Sequence, residues 1–200
     1  MKKPKFALYW CSSCGGCEES VLDMAEDLLY ILENSDIMFW PVALDYKFSD
    51  LQRLEDGELT AAFINGAIRM EDQENAAKLL RKKSQIVVAH GTCAHLGGVY
   101  ALSNFFSRDS IIERCYRNVP GLFSNSSLAE EFPSGRDFSP KLSGFHEHVK
   151  SLDQVIDVDY YIPGCPATPE LMKKAFRLFF ENKLPPKGTV LAEKQALCKF

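Results

Sequence analysis

The chain has 200 residues, of which 46% are hydrophobic and 25% charged, a composition that excludes a disordered or fibrous protein. Twenty-seven acidic against 23 basic residues give a formal net charge of −4, which offers no basic field for nucleic acid. The seven cysteines are an odd number and cannot all pair within the chain. We find no secretory signal and no apolar stretch of membrane-spanning length, so we expect a cytoplasmic protein whose reduced thiols serve metal binding or catalysis.

Short apolar runs alternate with segments of helical periodicity, which is typical of an α/β fold with a mostly parallel sheet. The pattern predicts strands at residues 6–10, 37–42, 61–64 and 86–89, and a last strand that ends at Ile162. It predicts helices at residues 18–33, 71–83, 99–106, 110–116 and 169–182. Thr168 is the expected N-cap of the last helix, with a proline in its first turn.

Two stretches lack such a pattern. Residues 118–144 hold three prolines, three glycines and many serines. A loop this long in a compact domain usually serves a function, so it is either a partner-facing surface or a solvated loop with a few core anchors. The tail after Pro186 shows little order, and we expect a domain of residues 1–184 followed by a tail of residues 185–200.

Three predicted strands run into turns that carry cysteines. Cys14 and Cys17 follow the first strand, Cys93 follows the strand at 86–89, and Cys165 follows the last strand. Because ligands of open parallel sheets lie outside the carboxyl ends of the strands, we expect these four thiols to converge. Four thiolates indicate either a tetrahedral zinc site or an iron–sulfur cluster.

Glycines in the same turns favour the iron–sulfur cluster, which is larger than a zinc ion. They allow close approach of the backbone and offer N–H groups to cluster sulfides. These glycines are Gly15, Gly16, Gly91, Gly97, Gly98 and Gly164.

Other interpretations of the cysteines and histidines remain open. The Cys14-x-x-Cys17 pair alone is also compatible with a thioredoxin-like redox motif, although that leaves two cysteines without a role. Cys115 is interpreted as a buried core residue and Cys11 is left undecided. The histidines are interpreted as structural or tuning residues (His90, His95, His148), and the His-Glu-His run at 146–148 as a surface or partner contact in an irregular region.

Three ordered motifs carry a resemblance to a known family. The sequences CGGCEES at 14–20, GTC at 91–93 and VDYYIPGCP at 158–166 resemble those of [NiFe] hydrogenase small subunits. The related 20 kDa subunit of respiratory complex I has adjacent cysteines where this chain has a Cys-x-x-Cys pair. Within the family, the sequence is most similar to cytoplasmic methyl-viologen-reducing, or F420-non-reducing, hydrogenase small subunits.

The resemblance implies a flavodoxin-like, doubly wound and mostly parallel sheet whose cluster-binding loops lie at the carboxyl ends of the strands. It implies one [4Fe–4S] cluster of the proximal type and no catalytic residue on this chain. The implied metal ligands are Cys14, Cys17, Cys93 and Cys165. The residues expected to contact the cofactor are Gly91, Thr92, Ser20 and Gly164, with the two hydroxyls as donors.

The implied function is electron transfer between a large subunit with a nickel–iron site and downstream iron–sulfur or flavin partners such as heterodisulfide reductase. Two departures from the family pattern stand out. Ala167 replaces a frequent second proline, and the sequence stops where relatives continue with further cysteines. Cys198 therefore suggests a further cluster if the chain continues, with residues 185–200 as the start of a truncated second cluster region.

Two alternatives belong to other functional classes. The chain could be a cluster-holding adaptor of a reductase whose large-subunit homologue lacks nickel, or a thiol-disulfide oxidoreductase. A flavin is compatible with this fold, but no residue commits to one.

Overall fold

The structure is a computed structural model that describes residues 3–116 and 143–192. Its strands are β1 Lys5–Trp10, β2 Asp36–Phe39, β3 Leu59–Asn65, β4 Ile68–Met70, β5 Ser84–His90, β6 Phe145–Lys150, β7 Tyr160–Ile162 and β8 Thr189–Val190. Its α-helices are α1 Gly16–Leu22, α2 Glu26–Asn34, α3 Phe48–Arg53, α4 Glu71–Lys83, α5 Gly91–Leu96, α6 Arg108–Tyr116 and α7 Pro169–Phe180. Two 3₁₀ helices span Val99–Phe105 and Leu152–Gln154.

Six strands form one parallel sheet in the order β2-β1-β3-β5-β7-β8. Counted within the sheet this order is 2-1-3-4-5-6, and the strand order reverses between β1 and β3. Such a reversal defines a doubly wound, flavodoxin-like sheet and creates a crevice at the carboxyl ends of the strands. The predicted fold class is confirmed.

The sheet is covered on both faces, because alternate residues of each strand point to opposite sides. On one face, the Phe63 ring lies 4.7 Å from the ring of Phe176 in α7. On the other face, Ala62 and Ile64 belong to the same core cluster as Leu80 of α4. This two-sided burial makes the central strands continuously apolar, which is why the sequence reveals them.

Two predicted helices are close to those observed. Helix α4 has the predicted bounds, with acidic residues in its first turn and basic residues in its last, as the helix dipole favours. Helix α7 begins as predicted, where Thr168 Oγ1 accepts a hydrogen bond from the N–H of Leu171 at 3.4 Å. It ends at Phe180, two residues earlier than the prediction.

The single helix predicted over residues 18–33 is wrong. The chain forms α1 and α2 with a break between them, and Ala25 takes a φ of 51°. The break lets Met24 lie fully buried, whereas Leu22 and Leu29 are at least half exposed. The apolar periodicity hides this break because it continues across both helices.

The structure contains a second, smaller sheet that the sequence does not predict. Strands β4 and β6 pair antiparallel, with Ile68 opposite Lys150 and Met70 opposite Phe145. The His-Glu-His run therefore lies in a strand, and its predicted irregular setting is wrong. His146 Nε2 lies 3.1 Å from Glu74 Oε2.

The segment after Pro186 is also more regular than predicted, because it forms β8, which pairs with β7 at the sheet edge. Residues 118–142 and Cys198, to which the sequence analysis gives a partner-facing or second-cluster role, lie outside the described residues. No helix in the described ranges combines the length and the hydrophobicity that a membrane crossing requires.

Candidate metal centre

The loop from β1 to α1 carries Cys14 and Cys17. It is anchored to the turn after β3, where the Cys11 N–H donates to the Asn65 carbonyl at 2.8 Å and Ser12 forms a two-way bridge with Ala67. The anchoring turn needs a glycine, because a Cβ on Gly66 would lie 2.7 Å from the backbone of Cys11. The loop therefore leaves the sheet in a fixed direction.

The loop from β5 to α5 carries Cys93. Gly91 has a φ of +83°, and a Cβ at this position would overlap Cys17 Sγ. Gly98 has a φ of +56°, and its Cβ would lie 2.6 Å from Cys93 Sγ. Glycine is thus required at two points where the backbone passes a thiol.

The loop from β7 to α7 carries Cys165 and is fastened to the second loop. The Gly164 carbonyl accepts two hydrogen bonds from Thr92, one from its N–H at 2.8 Å and one from its hydroxyl at 2.9 Å. The strands β1, β5 and β7 deliver the three loops to one edge of the sheet. The predicted convergence of the three turns is confirmed.

The four thiols differ in depth but interact with one another. Cys17 and Cys93 are buried, whereas Cys14 and Cys165 are exposed. The pKa of Cys17 is raised to about 11, chiefly by burial. A hydrogen bond from the Ala167 backbone opposes this rise, and the nearby thiols add to it. Burial and the thiols of Cys165 and Cys14 also raise the pKa of Cys93. We name these four cysteines the thiol edge; its two buried thiols, Cys17 and Cys93, disfavour ionisation unless a cation lies beside them.

The donor chemistry of the thiol edge suits an iron–sulfur cluster. Four cysteine thiolates are its usual ligands, and the two glycines leave room beside two of the sulfur atoms. In residues 3–116 and 143–192, no three His, Cys, Asp or Glu side chains meet as a site for one metal ion. The assignment of the four cysteines as ligands stays a prediction.

The hydroxyls of Thr92 and Ser20 donate to backbone carbonyls in this structure, and their expected role as donors to the cofactor stays a prediction. Thr92 donates to the Gly164 carbonyl, and Ser20 Oγ donates to the Cys17 carbonyl at 2.8 Å. Since each hydroxyl has a single proton, that proton is engaged with backbone. The two residues fix the loops that present the thiols.

Sequence reasoning missed a buried carboxylate next to this edge. Glu18 is 4% exposed and accepts hydrogen bonds from Trp40 Nε1 at 2.5 Å and from Asn65 Nδ2. Asn65 in turn accepts one from the Ser13 hydroxyl at 3.0 Å. Burial raises the pKa of Glu18, against these two hydrogen bonds. The Asn-Gly pair that ends β3 at the same sheet edge is the signal that could have revealed this network.

Two further cysteines of the described residues, Cys11 and Cys115, are not part of the thiol edge. Cys11 is buried in the core and burial raises its pKa, which gives this undecided residue a core position. Cys115 is exposed, so the prediction of a buried core cysteine is wrong. Its helical spacing behind two isoleucines does not show which helix face meets the sheet.

The histidines near the edge have structural surroundings. His90 is fully buried, and burial lowers its pKa to about 4. The His95 ring lies 4.4 Å from the ring of Tyr161. Both arrangements agree with the structural role that the sequence analysis gives them.

Fold and thiol edge together define a class: doubly wound α/β proteins with cysteine-bearing loops at the carboxyl edge of the sheet. The model of the family "NADH ubiquinone oxidoreductase, 20 Kd subunit" matches residues 14–179. The chain belongs to this family, as its motifs predict.

Curated relatives of the chain are hydrogenase subunits, which are components of oxidoreductases. The iron-sulfur subunit of the F420-non-reducing hydrogenase of Archaeoglobus profundus is 33% identical over 97% of this chain and 61% of its own length. The corresponding F420-non-reducing hydrogenase chain of Methanothermobacter marburgensis is 36% identical over 82% of this chain and 49% of its own length. The chain thus spans about half to three fifths of these relatives.

Two further likenesses extend to NAD-reducing enzymes. The delta chain of the NAD-reducing hydrogenase HoxS of Cupriavidus necator is 28% identical over 82% of this chain and 72% of its own length. A chain from the crystal structure of an NAD⁺-reducing [NiFe]-hydrogenase in the H₂-reduced state superposes with a TM-score of 0.77 and 26% identity. That match covers 92% of this chain and 94% of the other.

Proposed function

We propose that this chain is the electron-transfer small subunit of a [NiFe]-hydrogenase-type complex. It holds one [4Fe–4S] cluster of the proximal type on Cys14, Cys17, Cys93 and Cys165. The observation that carries the proposal is the delivery of these thiols by three loops to one edge of the sheet. Family membership and the iron-sulfur subunit among the relatives support it.

When bound, the cluster supplies one-electron redox chemistry. The chain's own residues hold the ligand loops in place: Thr92 fastens two loops together, and Glu18 fastens the first loop to β3 through Asn65. The two exposed thiols lie on the surface side of the edge, where a partner can approach. No residue of this chain is required to make or break a substrate bond.

An apolar strip beside Cys93 is the surface we assign to the large subunit. The strip consists of side chains that are between 59% and 83% exposed, namely Leu96, Val99, Leu102, Phe105 and Phe106. Contiguous exposed apolar side chains of this size mark interaction surfaces rather than ordinary solvent-facing surface.

The downstream partners we propose are iron–sulfur or flavin subunits such as heterodisulfide reductase, in the cytoplasm. The likeness to F420-non-reducing hydrogenase subunits supports this choice. The cluster domain would comprise residues 1–184 together with β8, which pairs with β7 at the sheet edge, and Cys198 would contribute to a further cluster if the chain continues.

Metal analysis tests the cofactor. The anaerobically purified chain should contain about four irons and four acid-labile sulfides and undergo a reversible one-electron reduction. One zinc without labile sulfide would contradict the proposal. Reversible dithiol oxidation of Cys14 and Cys17 without iron would instead indicate a thiol-disulfide oxidoreductase.

Co-purification tests the partner surface. The substitution Phe105→Glu should release the large subunit from a tagged chain, because it places a charge in the apolar strip. Leu29→Glu is the matched control, since Leu29 is 62% exposed on α2, outside the strip. Equal retention in both variants would contradict the surface assignment. Nickel in the co-purified partner supports a hydrogenase, and its absence supports the adaptor alternative.

A further inference from the structure

A cavity of about 410 Å³ lies between the small sheet and the 3₁₀ helix Val99–Phe105, outside the thiol edge. Its volume is within the range of about 300–1,000 Å³ that is usual for small-molecule sites. Its lining is mostly apolar and includes Met70, Tyr100, Ile111, Phe145 and Val149. One charged side chain, Arg69, takes part in the lining.

Arg69 is buried with part of its guanidinium unpaired. The residue is 5% exposed, and its guanidinium carbon lies 4.1 Å from the centre of the Phe145 ring. Nη1 approaches the Ser103 hydroxyl at 3.5 Å and the Glu147 carbonyl at 3.4 Å. Nε and Nη2 are buried and have no hydrogen-bond partner in the described part of the chain.

The two unpaired nitrogens define what they can bind. Nε and Nη2 form one edge of the planar guanidinium, where their N–H groups point in parallel. This fork matches the two oxygens of a carboxylate, which accepts both hydrogen bonds at once.

The nearby acid does not fill this role. The Glu147 carboxylate is turned to Arg108, whose backbone N–H donates to it at 3.0 Å. Burial lowers the pKa of Arg69, although the charge of Glu147 opposes this. Burying a cation is costly unless it is paired, so an anion is the partner that suits the edge of Arg69 left open among the described residues.

We propose that Arg69 is the anion-binding residue of a second site that takes a small organic carboxylate with an apolar body. Nε and Nη2 of Arg69 donate two parallel hydrogen bonds to the carboxylate. The apolar part of the ligand packs against the cavity walls around Tyr100 and Val149. A single cation suits one negative charge better than the two of a phosphate. This site is independent of the proposed cluster.

Calorimetry on the 200-residue chain as isolated under anaerobic conditions tests the site. Benzoate should bind saturably, and benzamide should bind about tenfold to a hundredfold more weakly, because it has the same body without the charge. Acetate should also bind more weakly than benzoate, since it lacks the body. Inorganic phosphate should not compete with benzoate. These comparisons need no altered protein.

Variants then assign the contact. Arg69→Lys keeps the charge but not the fork, and it should weaken benzoate binding about tenfold or more. Arg114→Gln removes a positive charge from an exposed position of α6, outside the cavity lining, and should change the affinity by less than about twofold. Circular dichroism checks that each variant folds.

Several outcomes would overturn the proposal: equal affinity for benzoate and benzamide, no saturable benzoate binding, or benzoate affinity unchanged in Arg69→Lys. Arg69 engaged by a carboxylate side chain of a co-purified subunit, with no benzoate binding to the isolated chain, would also overturn it. None of these results depends on iron content, so the cluster proposal stands or fails separately.

Discussion

The two ends of the parallel sheet carry different kinds of ionisable side chains. At the amino ends of the strands, oppositely charged side chains pair: Asp159 lies 2.6 Å from both Arg81 Nη1 and Lys187 Nζ, and Lys5 lies 2.5 Å from Glu58. At the carboxyl ends, three loops carry four thiols, and burial together with the neighbouring thiols raises the pKa of the two buried ones.

The difference separates stability from function. The paired charges at the amino end lower the pKa of Asp159, so this end stabilises the folded chain without a further group. Under the proposed function, the thiol edge would be neutralised only when a metal cofactor binds. Substitutions at the two ends should therefore affect different observables.

The largest effect is expected from a glycine substitution at the thiol edge, where it should cause a loss of iron. Gly91→Ala should lose most of the iron, because its Cβ would overlap Cys17 Sγ. Gly57→Ala is the matched control: Gly57 has a similar φ of +73° but open space around it. We expect the control to lose about 1–2 kcal/mol of unfolding free energy and no iron. Iron per chain and denaturation midpoints measure both, and similar iron content in the two variants would contradict the assigned crowding.

At the opposite end, Asp159→Asn should lower the free energy of unfolding by about 3 kcal/mol, because it leaves Arg81 without its buried partner. Asp157→Asn, at an exposed carboxylate two residues earlier, should change it by less than about 0.5 kcal/mol. Urea unfolding measures the difference. The cluster spectrum of both folded variants should equal that of the unaltered chain.

Lowering the pH should remove the stabilisation that the ionised Asp159 gives to the folded chain. Burial alone raises the pKa of this carboxyl, but hydrogen bonds from Lys187, Arg81 and the Val87 N–H outweigh it and lower the pKa. The stabilisation is therefore complete above the unfolded-state pKa of about 3.9 and is lost as the pH falls through the lower folded-state value. The stability gap between the chain and Asp159→Asn should narrow below about pH 4. A constant gap down to about pH 2 would contradict this account.

A smaller loss of stability is expected when the hydrogen bonds of Glu18, which support the first loop of the thiol edge, are removed. Glu18→Ala should lower the free energy of unfolding by about 2 kcal/mol, since Trp40 Nε1 loses its acceptor and Asn65 Nδ2 loses one of its two. Glu19→Ala, at the exposed neighbour, should cost less than about 0.5 kcal/mol. Thermal unfolding of the two variants compares them directly, and equal midpoints would show that the Glu18 network is not stabilising.

The sequence predicts the thiol edge well because its determinants are local. Each cysteine lies within seven residues of the end of an apolar strand, and parallel strands bring their carboxyl ends to one edge whatever the intervening helices are. The ligand turns could thus be placed without knowing the packing of any side chain.

Features that depend on distant partners could not be predicted in this way. Strand β4 has three residues, too few for a period, and its partner β6 lies more than 70 residues away. The buried state of Glu18 depends on Trp40 and Asn65, which belong to other elements. Cys115 shows the same limit, because helical spacing alone does not orient α6.

The central claim, that the thiol edge holds the cluster, is tested most directly by iron and sulfide analysis of two cysteine variants. Cys93→Ala should retain little iron and lose the visible absorption of the cluster, whereas Cys115→Ala should keep about four irons per chain and an unchanged spectrum. Equal iron content in the two variants, whether both full or both empty, would contradict the claim.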